Sequence, residues 1–406
     1  MTLANVAPFA VEQWMDTHET HAKYNIAETC VASISLDDLR GLSEDSSSEI
    51  WSSSTKLTYG TIRGSEKLRT NLANRYSAKK PFQAHNILIT PGAISANMTM
   101  FYSLVAKGDH VICHYPTYQQ LYEVPKRLGA EVDYWRADEM KKWQLDIEEL
   151  KGLIRPNTKM IIINNPHNPS GAIIPKATLD SLIEVAEEHD LIIMADEVYR
   201  PIFHSISPGS PDFPPSILSL GYAKTIATGS LSKAYSLAGI RVGWIASRSS
   251  EIIEACAQAR DYTTISVSQL DDQIAAYALD NNCIHSLLSR NIQLAKRNLE
   301  ILDNFVESHR WACEWVKPVA GTTAFVKFSN MGAPVDDVAF CGKLMEETSV
   351  MLVPGSRCFG DGKDFKGFVR FGFCCETEVL EEGLEKMRLF MKKGYRTVPL
   401  AEEEGA

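Results

Sequence analysis

Short apolar segments alternate with helical patterns from residue 86 to residue 246. Asn86–Thr90, His110–Cys113, Met160–Ile163, Leu191–Ala195, Thr225–Thr228 and Val242–Ala246 read as buried strands. Each is short, apolar and bounded by turn residues, whereas Leu179–His189 carries the spacing of an amphipathic helix. Strands buried on both faces, with helices between them, predict an α/β fold built on a doubly wound, mainly parallel sheet. Sheets of this kind bind ligands outside the carboxyl ends of their strands. Polar clusters follow the strands near residues 92, 116, 168, 196 and 233. They predict a single site along that edge.

The pattern changes towards both ends. Residues 1 to 40 read as an N-terminal arm with a short helix, and Ser43 to Ser54 as a Ser-rich loop. Asn25–Ala32 is apolar enough to pack and polar enough to line a pocket. A helix carrying Leu68 and Leu72 precedes the first strand. Helices fill 251 to 307; Trp315–Phe328, Val350–Val353 and Phe368–Phe373 read as strands, and Glu378–Met391 as a closing helix. The expected organisation is residues 1–50 as an N-terminal arm and part of a small domain, 51–290 as a large cofactor-binding domain, and 291–406 as a smaller α+β C-terminal domain. A chain of 406 residues is long enough for both.

The formal charge of -10, with no basic tract, argues against nucleic acid as a partner. No run of about eighteen apolar residues is present, so no membrane span is expected. The stretch Met1–Tyr24 lacks the pattern of a secretory or transit peptide, and Glu402–Ala406 carries no lipidation or targeting motif. Nine cysteines, with no C-x-x-C, argue against a disulfide scaffold or a zinc site and for a reducing, cytoplasmic location. No metal is expected.

Lys233 is the candidate with the sharpest chemistry. It stands alone among small, hydroxylic and apolar residues, with Arg241 the next basic residue. Lysine can form an imine with an aldehyde cofactor, and burial is expected to depress its pKa and free the amine. Ser230 adds a hydroxyl, and Arg241 a fixed fork for a phosphate. The turn Gly92-Ala93-Ile94, between a strand and a helix start, can present backbone amides to an anion. Asp196 ends a buried strand and needs a partner there. A protonated pyridine nitrogen would serve, and Asp196 would keep such a ring cationic as an electron sink. Asn168 and Tyr199 suit a phenolic oxygen on that ring, and Tyr118 could stack on its face. Arg370, the one charge in Phe368–Phe373, suits a bidentate grip on a substrate carboxylate.

Together these stretches resemble the class I/II aminotransferases, pyridoxal-phosphate enzymes of fold type I. The resemblance rests on Tyr59-Gly60 with Gly64, Pro91-Gly92-Ala93, Pro116 with Tyr118 and Asn165-Pro166-His167-Asn168-Pro169-Ser170-Gly171. It continues in Asp196-Glu197-Val198-Tyr199, Ser230 with Ser232-Lys233, Arg241 with Gly243, and Val369-Arg370. It implies pyridoxal 5'-phosphate as cofactor, Lys233 as Schiff-base lysine and Asp196 at the pyridine nitrogen. Asn168 and Tyr199 would contact the phenolic oxygen, and Tyr118 the ring face. Ser230, Arg241 and the Gly92–Ile94 turn would hold the phosphate. Arg370 would bind the carboxylate of an amino-acid substrate. Tyr59 would reach the phosphate in a neighbouring subunit, which implies a homodimer with shared sites.

The expected reaction is transamination, with Lys233 moving the Cα proton. The same deprotonation serves β- or γ-elimination and cyclisation, and less readily amino-acid oxidation or a non-catalytic regulator. Asn25–Cys30 departs from common family members, which carry a Gly-x-Pro-like stretch near the N-terminus. It is similar to specialised-metabolism members such as capreomycidine-synthase-like cyclases and carbon–sulfur lyases. Glu28 there is a candidate for binding a cationic group or for a second acid/base role.

Overall fold

In the computed structural model the described residues are 7–45, 47–77 and 81–402. Of the segments read above, residues 1–6 of the arm, Ser46 in the Ser-rich loop and 403–406 at the acidic end lie outside them.

The centre is a seven-stranded sheet. Its spatial order is Ile87–Thr90, Gly243–Ser247, Thr225–Ser230, Ile192–Asp196, Thr158–Asn164, His110–Tyr115, Glu131–Arg136. The last five run parallel, and Gly243–Ser247 is antiparallel to both its neighbours. The architecture is α/β with a mainly parallel sheet. The inner strands are buried along almost their whole length, which is why they are continuous apolar runs in the sequence.

Glu131–Arg136 was not anticipated. It pairs on one side only, with His110–Tyr115, and Trp135 is its one buried residue. An edge strand covered on so little of its surface carries charges where an inner strand carries valine or isoleucine.

A second sheet has five antiparallel strands. Thr323–Asn330 and Phe368–Gly372 form its middle, flanked by Cys313–Trp315, Ala333–Pro334 and Val353–Pro354. Tyr24–Asn25 pairs in parallel with Val350–Met351, so the N-terminal segment is stitched to the C-terminal part. The helix Asn281–Ser308 is continuous and contains the expected boundary at 290/291. Its buried face includes Leu287, Asn291, Ala295, Leu299 and Leu302, at helical spacing.

No helix among the described residues is long and apolar enough to cross a membrane. None of the nine cysteines forms a disulfide.

Candidate active site

The carboxyl ends of the inner strands open onto a cavity of about 340 Å³. Ala93, Ile94, Tyr118, Asn168, Asp196, Tyr199, Ser230, Lys233, Arg241, Arg370 and Glu28 all line it. Gly92 adjoins it as the first residue of the helix Gly92–Leu104. Tyr59 does not reach it; that residue is 78% exposed elsewhere on the surface.

Asp196 is the last residue of its strand and is 4% exposed. Its Oδ1 accepts from the amide of Val198 at 3.1 Å, so it also caps the following turn. Its Oδ2 accepts from Asn97 Nδ2 at 3.2 Å, and Asn97 Oδ1 in turn accepts from the Thr228 hydroxyl at 2.7 Å. The Thr228–Asn97–Asp196 chain fixes the plane of the carboxylate. No cation is within ion-pair distance among the described residues, and burial pushes the Asp196 carboxyl up to about 6. A buried acid in this condition would be completed by a cation, and a protonated ring nitrogen is one.

The anion end of the cavity is equally open to a partner. The helix Gly92–Leu104 begins without a side-chain cap, leaving its first amides free for an anion. Arg241 lies against Gly92, whose φ is +79°; a Cβ there would stand 2.6 Å from Arg241 Nη2. Arg241 Nη1 donates to the Ser232 hydroxyl at 3.2 Å, and the Ser232 amide to Ser230 Oγ at 3.2 Å.

Arg370 sits in the middle of the five-stranded sheet and is 3% exposed. Its Nη2 donates to the carbonyl of Ala27 at 3.0 Å, and its Nη1 approaches Asn168 Oδ1 at 3.4 Å. It has no carboxylate partner among the described residues. The turn that carries Asn168 is tied down by His167. Pro116 O can only accept, so His167 Nε2 carries the proton and donates to it at 2.6 Å. His167 Nδ1 then accepts from the Ser170 hydroxyl at 2.6 Å.

The loop containing Asn25–Ala32 lies across the end of the arginine strand. The Gly372 amide donates to Ile26 O at 2.9 Å, and a Cβ on Gly372 would collide with the Glu28 carbonyl. This loop brings Glu28 to Lys233. Glu28 Oε1 accepts from Lys233 Nζ at 3.2 Å and from the amides of Thr29 and Cys30 at 2.6 and 3.0 Å. Cys30 Sγ stands 3.4 Å from the same amine.

One expectation is overturned here. Burial does act to lower the Lys233 pKa. Cys30, Glu28 and Tyr199 outweigh it, and the ammonium is held well above the ordinary lysine range. Conversely, the Lys233 charge holds Glu28 well below the usual carboxylate range. Burial pushes Tyr199 up.

Several lining residues were not anticipated: Asn97, Asn164, the helix residues Glu12 and Met15, and Glu19 at the helix end. Asn97 had one local signal, a lone amide entering the apolar run from Met98. Glu12 accepts from the Tyr118 hydroxyl at 2.7 Å, across 106 positions of sequence.

The model for the class I and II aminotransferases matches residues 42–387. The chain belongs to that family. It is a pyridoxal-phosphate-dependent enzyme, and the buried carboxylate, the uncapped helix with Arg241, and the cavity-facing amine fit that cofactor. Capreomycidine synthase of Streptomyces vinaceus is 27% identical over 375 residues, 92% of this chain and 91% of that protein. Aspartate aminotransferase of Thermotoga maritima is 28% identical over 342 residues, 83% of this chain and 84% of that protein. The crystal structure of a PLP-dependent aminotransferase from Streptococcus suis is 40% identical, with a TM-score of 0.87, covering 99% of this chain and 100% of that one.

Proposed function

We propose that this aminotransferase-family enzyme carries out transamination of an amino acid, with Lys233 as the residue that holds the cofactor and moves the Cα proton. One observation carries the reading: an amine, a buried carboxylate without a cation and a buried guanidinium without a carboxylate converge on one cavity. Pyridoxal 5'-phosphate, when bound, supplies an electron sink for charge developing at the substrate α-carbon.

The protein's own groups divide the work. Asp196, oriented by Asn97, would sit as the anion opposite the ring nitrogen. Arg241, Ser230, Ser232 and the amides of Ala93 and Ile94 would hold the phosphate. Asn168 and Tyr199 would donate to the phenolic oxygen, and Tyr118 would cover the ring. Arg370 grips the substrate carboxylate, which fixes the direction of the Cα–H bond. Lys233 Nζ takes that proton and returns it, with Glu28 at 3.2 Å as the neighbouring carboxylate that stabilises its charged form. Tyr59, exposed on its own subunit, completes the phosphate site of a second copy, so we take the working enzyme to be a homodimer with shared sites. We take residues 51–290 as its large cofactor-binding domain, with 1–50 an N-terminal arm and part of the small domain and 291–406 the small C-terminal domain.

Elimination or cyclisation is the second reading. The similarity to capreomycidine synthase and the position of Glu28 and Cys30 beside Lys233 speak for testing it. The experiment is a single turnover. Cofactor-loaded enzyme, given an amino acid and no acceptor, should release one keto acid per site and no ammonia. Free ammonia, a released leaving group or a ring-closed product overturns transamination.

A further inference from the structure

Two charges in the cavity have no counterpart once the reading above is granted. Its cations are Lys233, Arg241 and Arg370; its carboxylates are Glu12, Glu19, Glu28 and Asp196. Glu28 faces Lys233, Asp196 faces the ring nitrogen, Arg241 the phosphate and Arg370 the substrate carboxylate. Glu12 and Glu19 remain, and neither is in an ion pair among the described residues.

Their placement follows from one helix. Ala10–His18 ends at Glu19 as its C-cap, and Glu12, Met15 and Glu19 stand at i, i+3 and i+7, on one face. All three line the cavity. The helix cannot roll away from it. Trp14 Nε1 donates to Leu352 O at 2.8 Å, the Ala10 amide to Gln119 Oε1 at 2.8 Å, and the Tyr118 hydroxyl holds Glu12 from the cavity side. Like charge at this mouth repels an anionic side chain and attracts a cationic one. Arg370, buried and lacking a carboxylate partner, sets where the α-carboxylate goes, so the acidic pair is left for the side chain.

We propose that the substrate is an amino acid with a cationic side chain, an amine or guanidinium, received by Glu12 and Glu19. The inference rests on the reading above in needing an α-amino acid in the cavity, whatever reaction follows.

The test titrates cofactor-loaded enzyme with L-arginine, L-lysine, L-norleucine and L-aspartate, following the cofactor's visible absorbance. L-arginine or L-lysine should perturb the band at concentrations at least about tenfold below L-norleucine, with L-aspartate weakest. Glu12→Gln and Glu19→Gln should each weaken the cationic ligands about fivefold more than L-norleucine, with a larger difference at low salt than at high. Glu19→Lys should improve L-aspartate. Equal binding of L-norleucine and L-arginine, or an equal loss for all ligands in the variants, overturns the cationic assignment alone. A band that no amino acid moves overturns the amino-acid reading and this inference with it.

Discussion

The amine of Lys233 donates to Glu28 at 3.2 Å, joining residues 205 positions apart. Glu28 is bound to its own loop by two amides, so it is a fixed counter-charge rather than a mobile one. Burial lowers the Lys233 pKa, while Cys30, Glu28 and Tyr199 raise it; Glu28→Gln removes one of the upward causes and leaves burial less opposed. In cofactor-free protein, Lys233 should then react with an acylating reagent at a pH lower by on the order of one unit. Competitive labelling followed by mass spectrometry measures this; an unchanged profile contradicts it.

Asp196 predicts a pH effect on stability. Burial lifts its folded-state pKa to about 6, above the ordinary aspartate value of 3.8. The folded state therefore favours the protonated form. That contribution is complete below the unfolded pKa and is lost as pH rises through about 6. A shift of about two units corresponds to about 3 kcal/mol. Asp337, whose carboxyl burial also pushes up to about 6, titrates in the same window. Denaturant unfolding of cofactor-free protein should show a smaller loss between pH 4 and pH 7.5 in Asp196→Asn than in the parent. Equal losses contradict the assignment.

The proposed reading has Arg370 act on the substrate and not on the cofactor. Arg370→Ala should raise KM for the amino acid by about 30- to 100-fold, the worth of a charge-assisted hydrogen bond. Cofactor content, read from absorbance, should be unchanged. An unaltered KM removes Arg370 from the substrate site.

Gly92 packs against Arg241 at the proposed phosphate end of the cavity. Its φ of +79° and the 2.6 Å that would separate a Cβ from Arg241 Nη2 leave no room for a side chain. Gly92→Ala should weaken cofactor binding about tenfold through displacement of Arg241, at about 1 kcal/mol cost in backbone strain. Equilibrium dialysis of the cofactor measures the first and thermal unfolding the second.

The inner strands were legible because burial on both faces requires continuous apolar runs, and the polar clusters at their ends revealed the edge where the site lies. Glu131–Arg136 escaped because an edge strand need not be apolar. Asp196 could be read twice over, as a turn cap and as a site carboxylate, and the Val198 amide and the cavity give it both positions. What sequence did not carry was contact between distant segments. Nothing local to Lys233 announces Cys30 or Glu28, so the expected direction of its pKa was reversed. Glu12 and Glu19 are solvent-exposed, and nothing in sequence shows that Trp14 and Tyr118 hold their helix face at the mouth of the cavity. Asn97 is a single amide in an apolar helix, and its meaning depends on Asp196, 99 positions away.

The most direct test of the central claim is chemical. Cofactor-loaded enzyme is reduced with borohydride, digested and mapped by mass spectrometry. The account predicts a single modified peptide with the pyridoxyl group on Lys233, absent in Lys233→Ala. A label on any other lysine, or a loaded enzyme with no labelled peptide, would contradict it.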